Sequence, residues 1–255
     1  MRTLVRFALA VALVVGLGGQ FQITLPVATQ FEPDQIQSDI IVWLRSTDGV
    51  NTTGASVVSS WEDKGPNSYD VNTDGGCAGP ALVQDLQNGY PGLRFDGVND
   101  CLENAVSGSH TQPFTQYLVM NTVTWTANDY IILVGANSYN RHHTSTPEVR
   151  VGGSSANVCS VSPTIGTWFL HRTMRNGAST IAQLDDDTAT STCDPGGTAA
   201  VDDLHIASAA NDTSPANVEF AEILIVDGDI ATDFPADHAA IVNYFQQRYQ
   251  LTGLK

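Results

Sequence analysis

Glu219 and Glu222 are the residues of this 255-residue chain whose type and spacing first suggest chemistry. Cleavage of a glycosidic bond needs two carboxylates, one acting as acid and the other as base or nucleophile. These two are three positions apart in a strand-like run, VEFAEILIVD, so on a regular strand they point to opposite faces and cannot serve one substrate. The chain also lacks a G-x-S-x-G elbow and a glycine-rich phosphate loop, so no catalytic residue is assigned and a non-enzyme is expected. Hard oxygen ligands for Ca2+ are offered by Asp96, Asn99 and Asp100 in FDGVND and by Asp185, Asp186 and Asp187. Neither set has the spacing of a calcium loop; a solvated turn accounts for the triple aspartate and a structural turn for FDGVND, whose Gly97 and Asn99 suit tight backbone. Ca2+ is the one cofactor these residues suggest. His142 and His143 are adjacent, face opposite sides of a strand, and are read as surface histidines. For sugars, an aromatic face beside planar polar groups is the expected tool, which makes Trp125, Tyr130, Tyr139 and Trp168 candidate ligand-binding residues as well as core or rim filler. Asn51 in NTT and Asn211 in NDT fit the glycan acceptor pattern.

These residues need a scaffold, and its clearest part is a strand and helix over residues 218–251. Val218, Phe220, Leu224 and Val226 lie on one side of a period-two pattern, while Ile223 and Ile225 make the other side apolar. A strand apolar on both sides is covered on both faces. Ile241, Phe245 and Tyr249 recur every four residues and give the covering helix its stripe. Thr232 or Asp233 is the expected N-cap, Pro235 suits the first turn, Arg248 the last, and Gly253 the close. Upstream, strands are predicted near residues 116–123, 130–135, 148–151, 168–174, 180–184 and 204–207, with a hairpin turn at Arg175-Asn176-Gly177. No crossover helix and no internal repeat interrupts them.

Three segments together carry a family resemblance: IIVWLRSTDGV followed by VVSSWEDKGPNSYDV (residues 40–71), LRFDGVNDCL (residues 93–102), and the strand-plus-helix close. On these residues the chain resembles the laminin-G-like branch of the concanavalin A-like lectin/glucanase superfamily. The resemblance implies an all-β, two-sheet antiparallel jelly-roll sandwich with one C-terminal helix, placed at residues 38–255. Glucanases of that superfamily carry an E-x-D-x-E strand, which is missing here. The resemblance implies no single function.

Charge narrows the partners. With 27 acids against 11 lysines and arginines, the net charge of −16 excludes nucleic acid, whose phosphates need clustered cations. Twenty-one aspartates and two lysines describe either a salt-adapted surface or simply a soluble acidic one. At the N-terminus, Arg2 and Arg6 precede an apolar run from Phe7 to Leu17 that is short for a membrane span. Residues 1–22 therefore read as a signal peptide, an anchor or an assembly arm, with residues 23–37 as a linker, and membrane contact is expected through the N-terminal segment alone. Cys77, Cys101, Cys159 and Cys193 form an even set in an export-like chain. Their order suggests Cys77–Cys101 and Cys159–Cys193, with four buried thiols as the other reading. The resulting expectation is a non-enzymatic extracellular interaction module, a virion or cell-surface structural, decoration or adhesion protein attached through its N-terminus. Its partner would be a glycan or a neighbouring surface or capsid protein, in an oligomeric assembly. The alternative is an atypical carbohydrate-active enzyme resembling the glycoside hydrolases of the same superfamily.

Overall fold

β-Branched and aromatic residues recurring at period two give the described residues of this chain nineteen strands in the computed structural model. They are β1 (Ile40–Arg45), β2 (Val50–Thr53), β3 (Val57–Trp61), β4 (Val71–Asn72), β5 (Ala81–Gln87), β6 (Tyr90–Arg94), β7 (Leu102–Asn104), β8 (His110–Thr111), β9 (Phe114–Thr122) and β10 (Tyr130–Gly135). There follow β11 (Ser138–His142), β12 (Val149–Gly152), β13 (Cys159–Val161), β14 (Trp168–Arg175), β15 (Thr180–Leu184), β16 (Ala189–Cys193), β17 (Ala200–Val201), β18 (Leu204–Ile206) and β19 (Val218–Asp227). The chain closes with α1 (Ile230–Asp233) and α2 (Pro235–Tyr249). The structure describes residues 31–251 except 74–75, 105, 107, 109, 136–137, 145, 154–156, 185–188 and 197–199.

Seventeen strands hydrogen-bond into one network, so the expectation of two separate sheets is corrected. The path runs β16–β15–β14–β9–β19–β6–β5–β3–β4–β7–β18–β10–β11–β12–β13, with β1 beside β19 and β2 beside β3. What joins the two halves is the length of β19: one edge pairs with β9 throughout, while the other pairs first with β6 at Glu219 and Phe220 and then with β1 from Glu222 onward. Hydrogen bonding then continues from β6 through β5 to β3 and so round to the opposite side. The result is a mostly antiparallel, nearly barrel-shaped sheet around one core. Its two free ends, β13 and β16, are tied by the Cys159–Cys193 disulfide and by Ser160 N–H donating to Ser191 Oγ at 3.3 Å. The second disulfide, Cys77–Cys101, completes the sequential pairing, and two such bonds suit an exported, extracellular protein. Among the described residues no helix is long and apolar enough to cross a membrane.

Trp61, Leu118, Val134, Val151, Phe220 and Ile223 are representative of the interior. The parity predicted for β19 fails midway. Val218 and Phe220 face the interior, but an irregularity between Phe220 and Glu222 inserts one residue, so Ile223 and Ile225 face inward and Leu224 and Val226 turn outward. The helix then covers that outer face: Ile241, Phe245 and Tyr249 are fully buried, as its period-four stripe requires. Its ends differ from expectation. Asp229, not Thr232 or Asp233, caps the short α1 by accepting Thr232 N–H; Pro235 opens α2, and Gln250 closes it in the left-handed region at φ 46°. Gly253 lies outside the described residues, as do residues 1–22 and the linker as far as residue 30. From Glu32 onward the chain packs as one unit: Arg45 Nη1 donates to Glu32 Oε2 at 2.5 Å and Gln37 N–H to Asp237 Oδ2 at 2.8 Å.

Candidate functional site

The extra residue in β19 has a consequence for the two glutamates with which the chemistry began. Glu219 lies opposite Asn121 and Glu222 opposite Val119; those partners are two apart on β9, so both glutamates project from the same face. The opposite-face expectation is thus corrected, although neither carboxylate is open to a substrate. Glu222 is fully buried beneath α2. It accepts from Trp43 Nε1 at 2.5 Å, Tyr249 OH at 2.7 Å and Tyr244 OH at 3.1 Å, with Arg248 Nε 3.9 Å away. Burial pushes its carboxyl upward, partly opposed by the hydrogen bonds of Tyr249 and Trp43 and by the charges of Arg248 and Arg45. Glu219 is held by Arg94 (Nε 2.6 Å) and Asn121 Nδ2 (2.9 Å). Trp168 faces Asn121 in the same row and is half-buried. This side of the sheet is an anchorage for the helix and its rim.

The other outer face carries no helix among the described residues. On β11, Ser138, Asn140 and His142 are buried, whereas Tyr139 and Arg141 project outward by strict alternation. His142 is therefore not a surface residue: it is 1% exposed, and burial holds it down at about 4. Tyr130 lies opposite Arg141 across the β10–β11 pair. The Tyr130 and Tyr139 ring centroids are 5.3 Å apart, and the Arg141 guanidinium sits 5.6 Å and 4.9 Å from them. Tyr139 lies over Gly152 of β12, where an added Cβ would fall 2.3 Å from the ring; glycine lets the phenol lie flat. Of the four aromatic candidates, Tyr130 and Tyr139 are brought together, while Trp125 stacks near His142 (6.5 Å) and Trp168 belongs to the helix-covered side.

Following the row from Tyr139 leads to Leu133, then His205, then Glu103. At strand spacing, His205 is about 10 Å and Glu103 about 14 Å from Tyr139. His205 stands between two acids: Nδ1 is 2.8 Å from Glu103 Oε2 and Nε2 is 2.9 Å from Asp203 Oδ2. Asp212 completes the group, with one ligand-type atom from each of Glu103, His205 and Asp212 lying within 4.8 Å of the others. The Cys77–Cys101 bond positions this end of the row, because Asp212 Oδ1 lies 3.3 Å and 3.5 Å from its sulfurs and Glu103 follows Cys101 by two residues. The Asp212 loop is strained: Ala207, Asn211, Asp212 and Ser214 all have φ between 53° and 72°.

Glu103, Asp203, His205, Asp212 and Arg141 have no linear motif in common and were not singled out in the sequence. The nearest signal was Cys101, which ties Glu103 to a second segment. The acids that were singled out lie elsewhere. Asp96 Oδ1 accepts Val98 N–H (2.8 Å) and Asp100 Oδ2 accepts Asp96 N–H (3.0 Å), so these carboxylates build their own turn, from which Asn99 N–H also bonds Asp96 at 3.3 Å. Burial raises Asp100, and the Asp96 charge adds to it. Asp185, Asp186 and Asp187 lie outside the described residues. Asn51 is exposed on β2 and Asn211 on the Asp212 loop.

No family model matches the chain, and no curated protein matches it. Solved structures match it in fold. A GH54 α-L-arabinofuranosidase soaked with a cyclic sulfate inhibitor superposes at TM-score 0.50 with 13% identity, over 80% of this chain and 59% of that one. The same kind of enzyme soaked with 4-nitrophenyl α-L-arabinofuranoside gives 0.51 at 13% identity, again over 80% and 59%. The binding domain of Paraclostridial Mosquitocidal Protein 1 gives 0.53 at 8% identity, over 82% and 52%. The chain thus spans little more than half of each structure, and at these identities the likeness is one of fold. It supports a β-rich architecture shared with glycosidases and toxin binding domains; the narrower laminin-G resemblance finds no match among family models. The non-enzyme expectation is corrected here. It rested in part on Glu219 and Glu222 facing apart, which they do not, and the fold is shared with a glycosidase. The virion and capsid reading gains nothing from these structures.

Proposed function

We propose that the protein is a carbohydrate-active enzyme that cleaves a glycosidic bond in a glycan laid across the helix-free face. The observation that carries this reading is the Glu103–Asp212 carboxylate pair, within 4.8 Å, in line with the Tyr130–Tyr139 platform. The phenol faces offer apolar contact to a sugar ring, and Arg141 and Arg150, opposite one another on β11 and β12, supply fixed donors to its hydroxyls. Retaining glycosidases hold their carboxyl groups roughly 5–5.5 Å apart, whereas inverting ones need about 6.5–9.5 Å to admit a water. An oxygen-to-oxygen approach within 4.8 Å favours retention over inversion. Glu103 is assigned as nucleophile, and Asp212, on its strained loop, as acid and then base. The substrate class suggested by the matching fold is an α-L-arabinofuranoside or related side-chain sugar.

The test is hydrolysis of a panel of aryl glycosides and arabinose-bearing polysaccharides by the full chain, with the anomer of the first product read by NMR. Turnover of at least one substrate with retained configuration is expected, and Asp212→Asn should lower kcat by about 10²–10⁴-fold. Inversion, or no turnover across the panel, overturns the assignment.

A further inference from the structure

We propose that Glu103, His205 and Asp212 also form a binding site for a zinc-class divalent cation. His205 is 7% exposed, and Asp203 faces its Nε2 at 2.9 Å. A carboxylate there accepts from Nε2–H, which leaves Nδ1 as the ring nitrogen that faces Glu103 and the rest of the group. Nδ1 is 2.8 Å from Glu103 Oε2, close enough for an ion pair, yet it makes no aligned hydrogen bond. A buried nitrogen lone pair against a carboxylate oxygen is repulsive unless positive charge lies between or beside them. A metal ion supplies that charge and at the same time gathers the Asp212 oxygen, already within 4.8 Å of the other two atoms. Asp203 then stands where the outer carboxylate of a carboxylate–histidine–metal arrangement stands, fixing tautomer and ring orientation. One imidazole and two carboxylates with an open position match the borderline-soft ions of the zinc class. Ca2+ wants six to eight oxygens and is disfavoured.

The two cysteine sulfurs near Asp212 are already joined to one another and supply no thiolate. Ion binding stands apart from the proposed hydrolysis. Only its consequence rests on that reading: an ion on Glu103 and Asp212 would remove both reacting groups and inhibit turnover.

The experiment titrates the chelator-stripped full chain with Zn2+ by calorimetry and with Co2+ by visible absorption. Saturable one-to-one binding and the intense bands of four-coordinate Co2+ are expected. His205→Ala should abolish them, and Asp203→Asn, which keeps all three ligands, should weaken affinity by about 10–100-fold. The Co2+ spectrum is read on the unmutated chain, so it stands even if His205→Ala misfolds. Absence of saturable binding, six-coordinate Co2+ bands, or unchanged affinity in folded His205→Ala overturns the site, since the ion would then sit on surface aspartates. Zn2+ that binds with these signatures but leaves hydrolysis untouched supports the site and sinks the assignment of Glu103 as nucleophile.

Discussion

The two outer faces of the sheet treat a carboxylate in opposite ways. Under α2, Glu222 has no solvent contact and is surrounded by Trp43, Tyr244 and Tyr249, whose N–H and O–H groups all point at it. On the helix-free face, the Glu103 and Asp203 side chains are 18% and 36% exposed, and their neighbour is a histidine that lacks an aligned partner at one nitrogen. A carboxylate with every lone pair claimed is structural, because a substrate would have to break hydrogen bonds worth more in a dry interior than in water. One that is partly open to solvent can still react. The difference lies in what covers each strand row, and not in the residue type.

The sharpest way to test the covered side is to remove its packing. Phe245, fully buried on α2 with its ring 6.1 Å from Tyr117, should cost roughly 3–5 kcal/mol of stability when changed to Ala, read by denaturant unfolding. A cost near zero would mean that the helix does not seal this face. Next comes the clasp. Removing Cys159 and Cys193 together opens a loop of sequence separation 34 and unties β13 from β16, so a loss of about 3–4 kcal/mol is expected. Equal stability of the double Cys→Ser protein would mean that the ring holds without its covalent closure.

How much of this was legible depended on whether a feature was local. Alternation found β10, β14 and β15 nearly to the residue, and the spacing of Ile241, Phe245 and Tyr249 found the helix face. The closure of the sheet was not legible, because pairing of β19 with both β1 and β6 is decided by strands more than a hundred residues away. The bulge at Phe220 to Glu222 was missed for a related reason: Ala221 is small and apolar, fits either face, and breaks no pattern. His142 was misread because β11, SYNRH, is polar at every inward position, Ser138, Asn140 and His142, so composition hid its burial. The Glu103–His205–Asp212 cluster draws on three segments joined by a disulfide and by strand register, neither of which leaves a motif in one dimension.

A smaller effect distinguishes the interior from both faces. His171 is fully buried, and burial with the Arg175 charge holds it down at about 3; His142 is down at about 4. Folded pKa values below the unfolded value of about 6.5 mean that the unfolded chain binds the extra protons, so stability is full above that value and is lost as pH falls through it. Between about pH 7 and about pH 5 each histidine should remove about 2 kcal/mol. Glu222, raised by burial, acts in the opposite sense, so the comparison is made between wild type and His171→Leu, which should flatten the curve. An unchanged slope would place His171 in contact with solvent.

The most direct measurement sets one glutamate of each face against the other: kcat for glycoside hydrolysis in folded Glu103→Gln and Glu222→Gln. The account predicts a loss of about 10²–10⁴-fold for Glu103→Gln. It predicts near wild-type turnover for Glu222→Gln, whose cost should fall on stability. Retained turnover in Glu103→Gln with loss in Glu222→Gln would contradict it and put the chemistry beneath the helix.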